Sequence, residues 1–162
     1  MVVIRELLAP DIDSFHAALD AVAQERRFLV FTVAPSIELL RRTIMLSLAR
    51  GDPRLVAIDD GVVVGWCHVV SSRSDTMGHC GTLAMGLLPP YRGRGIGERL
   101  LLKTISAARA RGITRIELGV FSDNQAAIKL YKRAGFIKEG LRRKAVQIDR
   151  EYFDEIIMAL LI

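Results

Sequence analysis

Local pairs of metal ligands are the first thing this chain lacks. Its two cysteines and three histidines show no C-x-x-C or H-x-x-x-H spacing, so no metal is expected. Cys67 and Cys80 each fall inside an apolar segment, which suits buried reduced thiols rather than a disulfide or a nucleophile. No apolar run approaches membrane-spanning length, and Arg5 and Glu6 interrupt the first strand-like stretch where a secretory leader would stay hydrophobic. A soluble, cytoplasmic protein without a membrane partner is the expectation. Aromatics are scarce at 6%, and no continuous basic stripe accompanies the net charge of +5. The arginines come instead in scattered pairs: Arg26 with Arg27, Arg41 with Arg42, Arg92 with Arg94, Arg142 with Arg143. That dispersal argues against nucleic acid, whose binders concentrate their positive charge. Internal repeats, low-complexity tracts and linkers are missing too. A chain of 162 residues, 51% of them hydrophobic, is expected to form one domain, residues 1–162, with its own core.

What is present alternates between two periodicities. VVIRELL (2–8) reads as a strand; from Pro10, apolar Ile12, Phe15, Leu19 and Val22 recur at helical spacing. Pro35 and Ser36 open a second helix carrying Ile37, Leu40, Ile44 and Leu48 on one face and ending at Gly51. Residues 54–72 read as two strands about Asp60-Gly61, a strong hairpin signal. HCGTLAMGLLPP is continuously apolar, which predicts a strand buried on both faces and stopped by Pro89 and Pro90. A helix from Gly95 to Arg111 follows, with Leu100, Leu101, Thr104, Ile105 and Ala108 inward and Gly112 as its cap. ITRIELGVF reads as a strand. A short helix then lies between a Ser122/Gln125 capping box and Gly135. The end of the chain reads as two strands about Ile148-Asp149-Arg150. The order predicts a mixed α/β domain around one sheet.

The densest signal is LLPPYRGRGIGERLL, residues 87–101. Glycines at 93, 95 and 97, between a stopped strand and a starting helix, let backbone N–H groups converge on one point. The unpaired first turn of the helix and its dipole add to them, and together they make an anion site best matched by phosphate. A Walker A loop would need Gly-Lys-Ser/Thr, but Glu98 follows Gly97; a dinucleotide fingerprint would need a third glycine where Leu100 stands.

The pattern that fits is R-x-x-G-x-G, at Arg92, Gly95 and Gly97. With TLAMGLLPPYRGRGIGERLL and ELGVFSDNQAAIKLYKRAGF around it, the chain resembles the GNAT superfamily of N-acetyltransferases across residues 80–136. The likeness is moderate over the closing hairpin and almost absent over the first 50 residues. The resemblance implies a central, mostly antiparallel sheet of six to seven strands with one splayed strand pair, flanked by about four helices. It also implies acetyl-CoA as co-substrate and direct transfer to an amine. It places the pyrophosphate on residues 92–97 (Arg92, Gly93, Arg94, Gly95, Ile96, Gly97) and the pantetheine chain along Met85, Gly86 and Leu87. There, a backbone N–H would also polarise the thioester carbonyl. Asn124 matches the residue that holds the cofactor chain, and its other reading is a helix-start residue. Tyr131 matches the tyrosine poised at the sulfur, where its phenol would act as general acid; it also falls on the apolar side of its helix.

The amine must lose a proton, and the two positions where family members carry a base glutamate are Gly81 and Gly119 here. His79 and Glu117, two residues away on the same strand faces, are the remaining candidates, directly or through water. Their other readings are a strand-edge histidine and an ion-paired glutamate; bulk water is the third acceptor.

The acceptor should meet the parts outside the motif: RRFLVFTVAPS and the final hairpin. Arg27 could hold a carboxylate while Phe28 and Phe31 seat a side chain. Those apolar residues could equally roof the core or join two copies in a homodimer. The closing segment resembles family members that acetylate amino acids or similar small amines. A protein N-terminus and a catalytically silent acyl-CoA sensor stay open beside that reading.

Overall fold

A computed structural model describes all residues, 1–162. Seven strands form one sheet: β1 Val3–Glu6, β2 Arg54–Asp59, β3 Val62–Ser71, β4 Cys80–Leu87, β5 Arg115–Phe121, β6 Ile137–Ile148 and β7 Glu151–Leu161. Their spatial order is β1-β2-β3-β4-β5-β7-β6, and every neighbouring pair is antiparallel except β4 with β5. Four α-helices cover it: α1 Ile12–Gln24, α2 Ile37–Ala49, α3 Ile96–Ala110 and α4 Gln125–Arg133. The mixed fold, strand number, helix number and splayed strand pair expected from the resemblance are those observed, and that pair is the parallel one.

Helices α1 and α3 bury the stripes that their spacing foretold, and α2 buries the middle of its own. In α1, Ile12, Phe15, Leu19 and Val22 are buried, and the Phe15 ring meets Trp66 of β3 edge-on with centroids 5.6 Å apart. Helix α2 starts where Ser36 Oγ accepts the Leu39 N–H at 3.3 Å, and turns Leu40 and Ile44 inward. These helices share one core with Val56, Val63 and Trp66 on one sheet face. On the other face, α3 and α4 cover Leu83, Ile116, Leu118, Val120 and Met158. Full burial of each such side chain is worth roughly 1.5–3 kcal/mol, so two faces of apolar stripes fix which side of the sheet every helix occupies. Both hairpin turns use left-handed backbone: Asp60 and Gly61, then Asp149 and Arg150, all at positive φ.

Two sequence expectations are corrected. Strand β4 is not buried on both faces: Thr82 and Ala84 are exposed, because the core that α1 and α2 build on that face is formed with Val56, Val63 and Trp66 of β2 and β3 and takes in no residue of β4. The Ser122/Gln125 box also does not form. Asn124 is the cap of α4, its Oδ1 accepting the Ala127 N–H at 3.2 Å, while Gln125 Nε2 donates to the Ser122 carbonyl.

Candidate active site

Strands β4 and β5 pair only through Cys80–Arg115, Gly81–Ile116 and Thr82–Glu117, and then separate. The hydrogen-bond alternation of β4 decides what the gap sees. Leu88 N donates to Val64 O and Cys80 O accepts from Ser72 N, so even-numbered residues face β3. The His79 carbonyl accepts from Thr114 and Arg115, so odd-numbered residues face β5. Past Thr82, Met85 and Leu87 therefore turn their backbone groups into the gap, while Gly86 turns its own toward β3. Gly86 has a packing role: a Cβ there would lie 2.4 Å from the Trp66 ring. The Leu87 carbonyl is already taken by Arg92 Nε at 2.8 Å, so the Leu87 N–H and both Met85 groups make up the open edge.

At the mouth of this gap the chain passes through a turn at Pro89–Tyr91 and enters α3. Gly93 and Gly95 adopt φ of +68° and +75°, backbone that any larger residue enters only with strain. Gly97 is helical and lets α3 press on β4, its Cβ position lying 3.1 Å from Leu87. The Arg92 amide donates to the Pro89 carbonyl. From Gly93 to Glu98, by contrast, no backbone N–H finds an acceptor within the protein. The free run thus begins one residue later than expected. The Arg92 side chain is also committed: its guanidinium forks onto Glu25 at 2.8 and 2.5 Å and lies 4.9 Å from the Phe28 ring centre. Arg94 is exposed, folded back toward Tyr91.

Tyr131 projects from α4 into the core shared with Cys67 and Phe136. Its hydroxyl makes no hydrogen bond, yet no buried side-chain oxygen or nitrogen is left both sealed and unpaired, so the hydroxyl reaches open space. Burial raises the phenol well above its usual pKa, with a smaller push from Cys67, so it stays protonated at neutral pH. Asn124 spends its oxygen on the α4 cap and keeps its NH2 free.

The base candidates from sequence are not brought together. His79 is exposed and precedes the first residue of β4, at the opposite end of that strand from Leu87. Its Nε2 is 3.3 Å from Cys80 Sγ. Glu117 lies in the paired part of β5, held by Arg115 Nε at 2.7 Å. The residue that sequence reasoning missed is Glu155. A Cβ on Gly119 would stand 2.1 Å from Glu155 Oε1, so the space that glycine vacates on β5 is filled by a carboxylate from β7.

Residues 25–27 tie three pieces of the rim together. Glu25 holds Arg92, Arg26 holds Asp149 in the β6–β7 turn with Nε–Oδ2 at 2.5 Å, and Arg27 Nη2 lies 3.9 Å from Asp123 before α4. Phe28 and Phe31 are half-buried and pack on the α1–α2 core, so they roof it beside the gap.

A run of unpaired amides at a helix mouth, opening onto an unpaired strand edge, can hold an extended ligand by its backbone-like middle and its anionic end. Residues 17–136 match the acetyltransferase (GNAT) family, and the chain belongs to that family. It is 34% identical over 110 residues to an L-amino acid N-acetyltransferase of Escherichia coli, covering 67% of this chain and 68% of that one. It is 36% identical over 96 residues to the N-alpha-acetyltransferase RimI of Mycobacterium tuberculosis, covering 50% of this chain and 59% of the relative. Against a further curated relative the match spans 47% of its length. A Sinorhizobium meliloti phosphinothricin acetyltransferase, solved in complex with acetyl-CoA, superposes with a TM-score of 0.91 at 21% identity over 99% of this chain and 88% of that one. At that identity the likeness is one of fold.

Proposed function

We propose that the protein transfers an acetyl group from acetyl-CoA to the primary amine of a small molecule, with amino acids the favoured class. The observation that carries this reading is the unbroken run of acceptor-less amides from Gly93 to Glu98 beside the β4–β5 gap. When bound, the thioester supplies an activated acetyl carbon. The amides at the start of α3 neutralise its diphosphate, and the open edge at Met85 and Leu87 aligns the chain that leads to the sulfur. The Met85 or Leu87 N–H polarises the acyl carbonyl. The Asn124 NH2 steadies the same chain from the other wall. Tyr131, held protonated by burial, gives its proton to the departing thiolate.

The amino-acid leaning draws on the E. coli relative and on the rim: Arg27, whose ion-pair partner Asp123 is 3.9 Å away, offers a carboxylate-binding fork beside the half-buried Phe28 and Phe31. The RimI relative favours a second reading, a protein N-terminus as acceptor. Thiol release from acetyl-CoA, followed across L-amino acids, short peptides and polyamines, decides between them. Turnover with free amino acids is expected. Turnover confined to peptides would transfer the assignment to protein N-termini, and silence across the panel would leave only a binding function.

A further inference from the structure

We propose that Glu155 is the general base of the transfer, standing in from β7 for a carboxylate that β5 lacks; the assignment rests on the acetyltransferase reading above. Glu155 is paired with Phe121 at the C-terminal end of β5, beyond the last β4–β5 pair at Glu117. Its side chain therefore shares the open sheet face with Gly119, Phe121 and Phe153, whose rings stack at 5.4 Å. The carboxylate leans across the strand and covers Gly119, with Cγ, Cδ and Oε1 all within 3.2 Å of where a Cβ would stand. A glycine is thus required at 119 for this placement.

The two oxygens have different surroundings. Oε2 accepts from Arg142 Nη1 of β6 at 2.6 Å, which fixes the orientation of the group. Oε1 accepts no hydrogen bond. The side chain is only 11% exposed, yet no buried polar atom is both sealed and unpaired, so Oε1, lying over Gly119, keeps contact with solvent. The other charged pair on this face, Glu117 with Arg115, lies further back along β5 and is engaged by Glu139. A nearly buried carboxylate with one anchored and one free oxygen, at the split end of β5, is placed to receive an ammonium group.

The proton balance is simple. An amine entering as R–NH3⁺ breaks one N–H bond, the proton forms an O–H bond at Oε1, and the electron pair stays on nitrogen. Glu155 passes that proton to solvent and takes the second N–H proton as the N–C bond forms and the C–S bond breaks, while Tyr131 protonates the sulfur and is reprotonated from solvent. Glu155 returns this second proton to solvent as well, so the sum is acyl thioester plus ammonium giving amide, thiol and one proton.

The test compares two nucleophiles in wild type and Glu155→Gln: the best acceptor from the panel, mostly protonated at neutral pH, and hydroxylamine, already neutral there. Loss of about a hundredfold or more in kcat with the first, but only a few-fold with hydroxylamine and with unchanged acetyl-CoA affinity by calorimetry, is expected. Equal losses with both nucleophiles would make Glu155 a structural residue and overturn the assignment, as would no loss with either. A Gly119→Glu/Glu155→Ala double variant returns the carboxylate to β5 after removing the atoms that block it, and should recover much of the lost rate. No recovery, with acetyl-CoA still bound, would count against the geometry. Wild-type protein that binds acetyl-CoA but acetylates neither nucleophile would instead sink the transferase reading itself.

Discussion

In the proposed reaction, burial decides which way Tyr131 can move a proton. A phenol pushed upward by desolvation stays protonated across the physiological range, so it can give a proton but not take one. Because the same shift weakens it as an acid, the developing negative charge on sulfur must draw that proton off. Tyr131→Phe removes only the hydroxyl and keeps the ring against Phe136. Turnover should fall about a hundredfold while acetyl-CoA affinity, measured by calorimetry, changes little. An unchanged kcat would remove the acid role. Residues of this kind were partly legible in sequence: Tyr131 and the glycines stand at motif spacings. Glu155 was not, because its meaning lies in a strand register 36 positions away from Gly119 that puts Phe121 beside it. From sequence alone Gly119 signals a missing carboxylate; only the cross-strand contact says that the space is filled. The glycine at 119 and the glutamate at 155 together are the signal to seek in similar chains.

At the scale of elements, hydrophobic spacing placed helices and strands well because both sheet faces are apolar wherever a helix covers them. It failed for β4, where an apolar sequence lies partly exposed because the face it serves is a cleft and not a core. Polar residues, by contrast, fasten one element to another in ways that no pattern announces. Buried Asp52 follows α2 and accepts from Ser47 Oγ at 2.6 Å, Ser71 Oγ at 2.6 Å and Arg50 Nη2 at 2.9 Å, while Arg54 Nε of β2 donates to the same Ser47 at 2.9 Å. Burial opposes the charge, but the three side-chain donors and the Ser71 N–H outweigh it and hold the carboxyl at about 2. A folded pKa below the unfolded value of about 3.9 contributes stability that is complete above pH 4 and is lost as pH falls through 2. That contribution is about 2 kcal/mol. Urea melts from pH 6 to pH 2 should show this loss in wild type, and Asp52→Ala should be less stable at pH 6 and flatter in its acid dependence. Parallel curves for the two proteins would contradict the clasp.

At the scale of the molecule, the sheet has bulges in β2–β3 and β6–β7 but only β4 and β5 pair over three residues and then part, and the amides at the start of α3 lie at that seam. Contacts from residues 25–27 brace its rim from α1, the glycine loop and the β6–β7 turn. The two exposed pairs, Arg26 with Asp149 and Arg27 with Asp123, contribute about 0–1 kcal/mol each, so they guide geometry more than they stabilise it. A ligand filling the seam would bridge parts of the fold that otherwise lack mutual hydrogen bonds, and its binding energy would then appear as global stability. At a hundred times its Kd, acetyl-CoA should stabilise the native state by about 2.7 kcal/mol. For a chain of this size each kcal/mol moves the midpoint by roughly 2–4 °C, so a rise of about 5–10 °C is expected in a thermal melt. Adenosine alone, which has no diphosphate for the amides of Gly93 to Glu98, should give a much smaller shift. Equal shifts from the two compounds would take the anion role away from the loop, and no shift from acetyl-CoA at millimolar concentration would contradict the cofactor assignment, because nothing else in the seam could then supply the thioester.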